Sequence, residues 1–332
     1  MDDPKFLYVS DDPELVRHPP GVLFRAPLPP GGEVARILID HVNATQDLKA
    51  APPVAGRQIR LLAWLVNLGP KAGTIQLAGT AGTKERNGMD AGHKTGSRFL
   101  QMRESGPNAG VQNVPLLKDA TEPLLDVLLD PGTSTENGEC ITGLFDVQGD
   151  AIGNTYEVRV IVCDPSEGID AFRGLADAVD DGKQRRGVFV IDGAAGVTPV
   201  PFGCAPFRIG VTTYERAAFD TYNGPAYAGE FGLTKRFSCA IDGGSAGRTA
   251  MLSQRAGGGG ATATYLIDGS VFESSQFQPS DEYLKVTTLD VPKNTKHAVR
   301  LTTMAHINST LPIDLQIAPN LSEGGSKITK TA

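Results

Sequence analysis

From Leu284 to Ile317 (LKVTTLDVPKNTKHAVRLTTMAHINSTLPIDLQI) apolar and polar positions alternate through three successive runs, with Pro or Asn at the turns. That period of two is the signature of half-buried strands. Leu124 to Val162 (LLDVLLDPGTSTENGECITGLFDVQGDAIGNTYEVRVIV) follows the same plan: an apolar strand, a Leu-Asp-(x)-Pro-type turn, a strand, a polar turn and a final strand. The echo predicts two β-rich domains built alike.

The same reading places strands at Lys5–Val9, Gly21–Ala26, Glu33–Asn43 and Arg57–Asn67, the last being the strongest apolar run of the first half. Thr74–Ala81 is its expected partner across the LGPKAG turn, with Ile39, Val42, Leu62, Trp64 and Val66 as core candidates. Gly82–Asn113 is polar and glycine-rich and reads as a long surface loop, with FLQMRES as a short helix or strand inside it. Asp164–Arg186 is charged and reads as a linker with a short helix, after which GVFVIDG opens the second domain at Gly187. Gly232–Ile241 is expected to pair with Arg248–Gln254, and Thr262–Asp268 with Val271–Phe277 across an Asp-Gly turn. The fold class is therefore all-β: two tandem β-sandwiches, Ig-like or jelly-roll-like, over 1–163 and 187–319, with a linker at 164–186 and a tail at 320–332. A chain of 332 residues suits two such cores better than one.

Composition narrows the function. A net charge of −7 argues against a nucleic-acid binder, which needs a basic face to replace phosphate counterions. No apolar run approaches the length of a transmembrane helix, and MDDPKFLYVSDDPE lacks the basic and apolar regions of a signal peptide, so an exported protein would have lost its signal. Of the four cysteines, Cys140 and Cys163 flank the turn at Gln148–Asn154, where a simple hairpin would set them opposite each other. Cys204 and Cys239 then form the second expected disulfide, the pairing that keeps each bridge within one domain. Four buried free thiols are the alternative.

No stretch carries a catalytic or cofactor motif. His18, His41, His93, His297 and His306 show no metal-ligand spacing, and no Cys pair has CxxC spacing, so neither metal nor cofactor is expected. His41 reads as structural or solvent-facing, and His297 and His306 as surface residues. No GxSxG elbow is present, and AGGGGA lacks the Gly-Lys-Ser/Thr ending of a phosphate loop. Glu215, Asp220 and Glu230 lie in the aromatic stretch and are most simply solvated loop acids, although two of them could flank a sugar as an acid–base pair. Tyr214, Tyr222, Tyr227 and Phe231 are candidates for stacking on sugar rings, with packing of a long loop or contact with a neighbouring subunit as the competing roles. Sequons occur at Asn43, Asn308 and Asn320.

The stretches LYVSDDPE with GVLFRA, ILIDHVN, LLAWLVNLG, YAGEFGLTKRF and ATYLIDG resemble a group of bacterial secreted proteins with tandem β-sandwiches, some loosely labelled copper amine oxidase N-terminal-like. The resemblance implies an extracellular or cell-envelope setting. The oxidase label does not transfer, because nothing here supplies a histidine triad around a modified tyrosine. The expected function is a non-catalytic structural or adhesive protein of the cell surface, a filament or surface-layer subunit meeting copies of itself or other surface components. Strand addition would use the N-terminal strand or the C-terminal tail. A carbohydrate-binding pair using the tyrosine cluster is the alternative, and a glycan hydrolase using Asp220 and Glu230 the second.

Overall fold

A computed structural model describes residues 1–319 apart from 13, 48, 107–108, 134–135, 151–152, 180–185, 193–195, 204, 223–225, 258, 275, 280–281, 307–308 and 310. The first half contains β1 (Phe6–Ser10), β2 (Leu15–Val16), β3 (Gly21–Pro27), β4 (Val34–Asn43), β5 (Ile59–Asn67), β6 (Gly73–Glu85), α1 (Gly88–Glu104), β7 (Gln112–Leu116), β8 (Thr121–Leu129), β9 (Cys140–Gly149), β10 (Tyr156–Cys163) and β11 (Arg186–Val190). The second contains β12 (Val197–Pro199), β13 (Phe207–Ile209), β14 (Thr213–Tyr214), β15 (Tyr227–Ala228), β16 (Thr234–Asp242), β17 (Arg248–Ala256), β18 (Ala263–Ile267), β19 (Ser270–Glu273), β20 (Leu284–Val291), β21 (Lys296–Ala305) and β22 (Ile313–Pro319).

The first sandwich faces the sheet β11-β1-β4-β9-β6-β7 against β3-β10-β5-β8; the second faces β12-β16-β21-β18-β19 against β13-β22-β17-β20. Matching β1 and β3–β10 to β12, β13 and β16–β22 superimposes the two strand orders, down to the parallel pairing of β1 with β4 and of β12 with β16. Successive strands alternate between facing sheets, so β8, β9 and β10 cross the sandwich as β20, β21 and β22 do. This is the double-sheet arrangement of a jelly roll. The protein is a tandem of two jelly rolls, and the echo between 124–162 and 284–317 marks equivalent strands.

That alternation overturns three expected pairings. β5 does not pair with β6; it lies between β10 and β8 in the opposite sheet. β16 does not pair with β17 either, being joined to β21 and β12. Period-two patterning identifies a strand but not its partner, and a jelly roll sends sequence neighbours to different sheets. A short turn makes adjacency legible: Asp268 and Gly269 both take positive φ, and β18 pairs with β19 as expected. The third correction concerns cysteine. Cys140 begins β9 and Cys163 ends β10, on opposite sheets, and Cys140, Cys163 and Cys239 are all buried free thiols. Burial pushes the Cys140 thiol up to about 12 and that of Cys163 up to about 11. Cys204, the expected partner of Cys239, lies outside the described residues.

The cores follow from the apolar faces. Ile37, Ile39, Leu61, Leu65, Phe145 and Val160 meet inside the first sandwich, and Cys239, Leu252, Tyr265, Leu301 and Leu315 inside the second. His41 is fully buried, with Nε2 2.8 Å from the Ser10 hydroxyl. Of the expected core residues, Ile39 lies in the first sandwich and Val42 is half-buried at its end. Leu62, Trp64 and Val66 are buried on the other face of β5, beneath Ala171, Phe172 and Leu175 of the linker. Among its described residues the linker carries one short 3-10 helix, Ile169–Gly174.

Candidate functional site

The structure gathers its unusual chemistry where the two jelly rolls meet. The outer face of β4 and β9 carries Leu38 and Leu144, which join Phe99 and Leu100 of α1, Tyr214, Tyr227, Leu233 and Met304 in one buried apolar cluster. Within it lies an ionic network. Arg36 pairs bidentately with Asp146 (2.8 and 2.9 Å), and Arg103 of α1 reaches the same carboxylate at 2.7 Å. Arg36 also donates to the Gly232 carbonyl (2.8 Å) and the Thr234 hydroxyl (3.2 Å) of the second domain. The Arg36 and Asp146 side chains are 2% and 0% exposed, so the guanidinium's remaining donor is satisfied by the second domain rather than by water. Gly232 sits at φ 67°, which favours glycine, and a Cβ there would press against Leu144 and Leu38.

α1 replaces the expected surface loop. Asn87 caps it by accepting from Met89 N–H at 3.0 Å, and Ala91, Gly92, Thr95 and Gly96 form a buried stripe of small residues. The stripe lets the helix lie close between β6 and β9 on one side and β18 and β21 on the other; a Cβ on Gly96 would collide with the His306 ring. His306, expected at the surface, is therefore buried, with its ring nitrogens 2.9 Å from the Thr264 hydroxyl and 3.0 Å from that of Thr262. Desolvation, reinforced by His93, holds its pKa well below the usual histidine range. The His93 ring stands edge-on to it at 4.8 Å, with Nε2 3.3 Å from Glu273, which also accepts from Ser97. His297 is exposed, as expected, and pairs with Asp268 at 2.7 Å.

The aromatic stretch is a strap thrown from the second half onto the first jelly roll. β11, expected to open the second domain, instead pairs with β1, and the strap docks on β11: Val190 N–H donates to Glu215 and Ala217 N–H to Val188. Phe219 packs on Phe6, and Tyr222 stacks on Phe24 at 5.4 Å while its hydroxyl accepts from Arg25 N–H at 2.7 Å. Burial pushes the Tyr222 phenol up to about 12. Tyr214 and Tyr227 are 8% and 6% exposed, and Phe231 is half-buried between the apolar clusters. No exposed platform for sugar rings forms from these four, because their faces are spent on one another and on the first domain. Asp220 is ion-paired with Arg216 and accepts from Tyr222 N–H, while Glu230 is ion-paired with Lys235 and accepts from Gly210 N–H and the Thr212 hydroxyl.

Two clefts lie elsewhere among the described residues. One, of about 390 Å³, is lined by Glu14, Arg17, Gln46, Arg86 and Cys140, and Arg86 is itself tied to Glu136 and the Asn137 carbonyl. The other, of about 310 Å³, is lined by Gln76, Gln148 and Asp150. Among the described residues no three His, Cys, Asp or Glu side chains gather where a metal ion could sit, and no helix is long and apolar enough to cross a membrane. Asn43 is fully buried, its amide donating to the Arg57 and Leu129 carbonyls, so its sequon is closed to modification in the folded protein. Asn308 and Asn320 lie outside the described residues.

The network of Arg36, Asp146 and Arg103 was not among the candidates. Its trace in the sequence is charge inside an apolar strand, Arg36 with Asp40 in VARILIDHV and Asp146 in GLFDVQG. Such a charge has no place in a sandwich unless another element brings its partner.

No family model and none of the curated proteins matches this chain. Among solved structures it is similar to an anti-sigma factor domain-containing protein from Clostridium clariflavum, at 10% identity over 77% of this chain and 78% of that one, with a TM-score of 0.17. A Macrobrachium rosenbergii nodavirus structure matches at 8% identity over 84% and 86%, with a TM-score of 0.17. The N-terminal CBM22-1–CBM22-2 tandem domain of Paenibacillus barcinonensis Xyn10C matches at 9% identity over 85% and 82%, with a TM-score of 0.18. Scores this low carry no argument, so function has to be argued from the geometry.

Proposed function

We propose that this protein is a structural or adhesive subunit of an extracellular filament or surface layer, working through its outer surfaces rather than through a reaction. The observation that carries the reading is the seam. A shared apolar cluster, a buried three-membered ionic network and a wedged helix fix one jelly roll against the other, giving a single stiff block. Jelly rolls serve both capsid and lectin domains, so the fold alone does not choose between assembly and glycan binding. The side chains favour assembly: the aromatics that a lectin would present are packed inside the seam and the strap, and the paired carboxylates that a glycosidase would use are engaged as ion pairs. The extracellular setting is supported by the sequence resemblance, and other copies of the chain are the first partners to consider. Negative-stain microscopy of purified protein tests the reading. Ordered filaments, sheets or shells are the expected result, and isolated single particles at every concentration would overturn it.

A further inference from the structure

Sheet edges are where one β-protein joins another. β1, the N-terminal strand expected to be available for addition, is interior, flanked by β11 and β4. β22 is likewise interior, and the tail after it lies outside the described residues. β8 is an edge strand, but it carries Pro123, which has no N–H to offer a new neighbour. β20 is different. It is eight residues long, contains no proline, pairs with β17 alone among the described residues, and leaves Leu284 44% exposed.

Its register carries a second feature. Leu252 opposes Thr287 and Ser253 opposes Lys285, so Val286 is an extra, bulged residue. Val286 nevertheless packs toward the core with Leu289. Across the bulge the alternation is reset: Leu284, Val286, Thr287, Leu289 and Val291 face inward, while Lys285, Thr288 and Asp290 face outward.

We infer that β20 is a self-pairing edge, joining two copies of the chain antiparallel about a two-fold axis at Thr288. A two-fold axis normal to the sheet pairs only residues that share a face. Placing Thr288 against itself satisfies this because the bulge counts Val286 and Thr287 as one position. Leu289 then meets the Val286–Thr287 pair, Lys285 meets Asp290, and Leu284 meets Val291. Opposite charges face each other twice in the dimer, and apolar residues meet on the inner face. Lys285 and Asp290 each meet an opposite charge when the second strand is a copy of this one, and that match commits the edge to its own chain. The joined sheets form one continuous layer, β13-β22-β17-β20 running into its symmetry mate. This inference deepens the assembly reading and rests on it.

The test is sedimentation velocity of the intact chain and three variants, with a cysteine cross-link as a geometric check. Lys285→Asp and Asp290→Lys each place like charges opposite each other at two symmetric points, and each raises the dimer dissociation constant by about tenfold or more. The double variant K285D/D290K restores wild-type association, which a merely structural role for either residue would not do. Thr288→Cys puts two thiols within disulfide reach across the axis, and mild oxidation gives a covalent dimer that wild type, with the same background thiols, does not form. A wild-type monomer, or single variants that associate as wild type does, would overturn the inference. Ordered polymers that ignore these substitutions and the Thr288→Cys cross-link would overturn it while leaving the assembly reading standing. A dimer that obeys the charge swap but grows no further would uphold it and count against a filament or layer.

Discussion

The two jelly rolls share one strand order and differ in what is inserted between equivalent strands. In the second, β18 turns into β19 through Asp268 and Gly269. In the first, the equivalent connection from β6 to β7 carries all of α1. The second lends the first a strap, Tyr214 to Phe231, and the first gives the second the guanidinium of Arg36, which is held on Asp146 while reaching Gly232 and Thr234. Insertions on a repeated scaffold have thus been used to weld the repeats, whereas the strand order is kept. The lesson is that distinctive residues here sit between strands or face out of the sandwich, and their first duty is to the seam.

Breaking the weld is the strongest way to test that comparison. Asp146→Ala leaves Arg36 and Arg103 buried without their common carboxylate, which should cost about 3–5 kcal/mol. Calorimetry should then resolve separate transitions for the two jelly rolls where wild type shows one. Gly96→Val drives a branched side chain into the His306 ring and should cost about 1–3 kcal/mol. Hydrogen exchange should rise in α1 and β18 while β5 and β10 stay protected. In the equivalent connection of the second domain, the turn residue Gly269 has nothing near its missing Cβ, so Gly269→Ala should show only local strain at φ 87°.

Acid should sharpen the same contrast. His306 is held neutral in the folded state, its pKa well below the usual 6.5, so the unfolded chain binds a proton that the folded one refuses. Its contribution is complete above about pH 6.5 and is lost as pH falls, at up to about 1.4 kcal/mol per pH unit. Glu273, lowered chiefly by the Ser97 hydrogen bond and then by His93, adds a further loss below its usual 4.5. Denaturant midpoints against pH should show the first slope in wild type and not in His306→Gln. The smallest effect belongs to the strap: Tyr222→Phe removes the hydroxyl that accepts from Arg25 N–H and should cost about 1 kcal/mol, read as a shift in urea midpoint with an unchanged slope.

Strand positions and the repeat were legible in the sequence because a half-buried strand must alternate; pairing was not, since alternation is silent about which sheet a strand joins. The helix was hidden because its buried face is Ala91, Gly92, Thr95 and Gly96. Glycine and threonine are poor helix formers, and it is contact with the strands that makes them favourable there, Gly96 close against His306 and Thr95 donating to the Thr142 carbonyl. The tyrosines stand out in the sequence as a group, but their burial depends on β11 pairing with the first domain, which no local pattern signals. Cys140 and Cys163 were placed on adjacent strands by sequence and on opposite sheets by topology.

The central claim is that two welded jelly rolls make one block that joins its own copies. Light scattering behind size exclusion, run over a hundredfold range of concentration, tests it most directly. A mass that climbs from one chain to two and beyond as concentration rises is the predicted result. A single-chain mass across the whole range would contradict it.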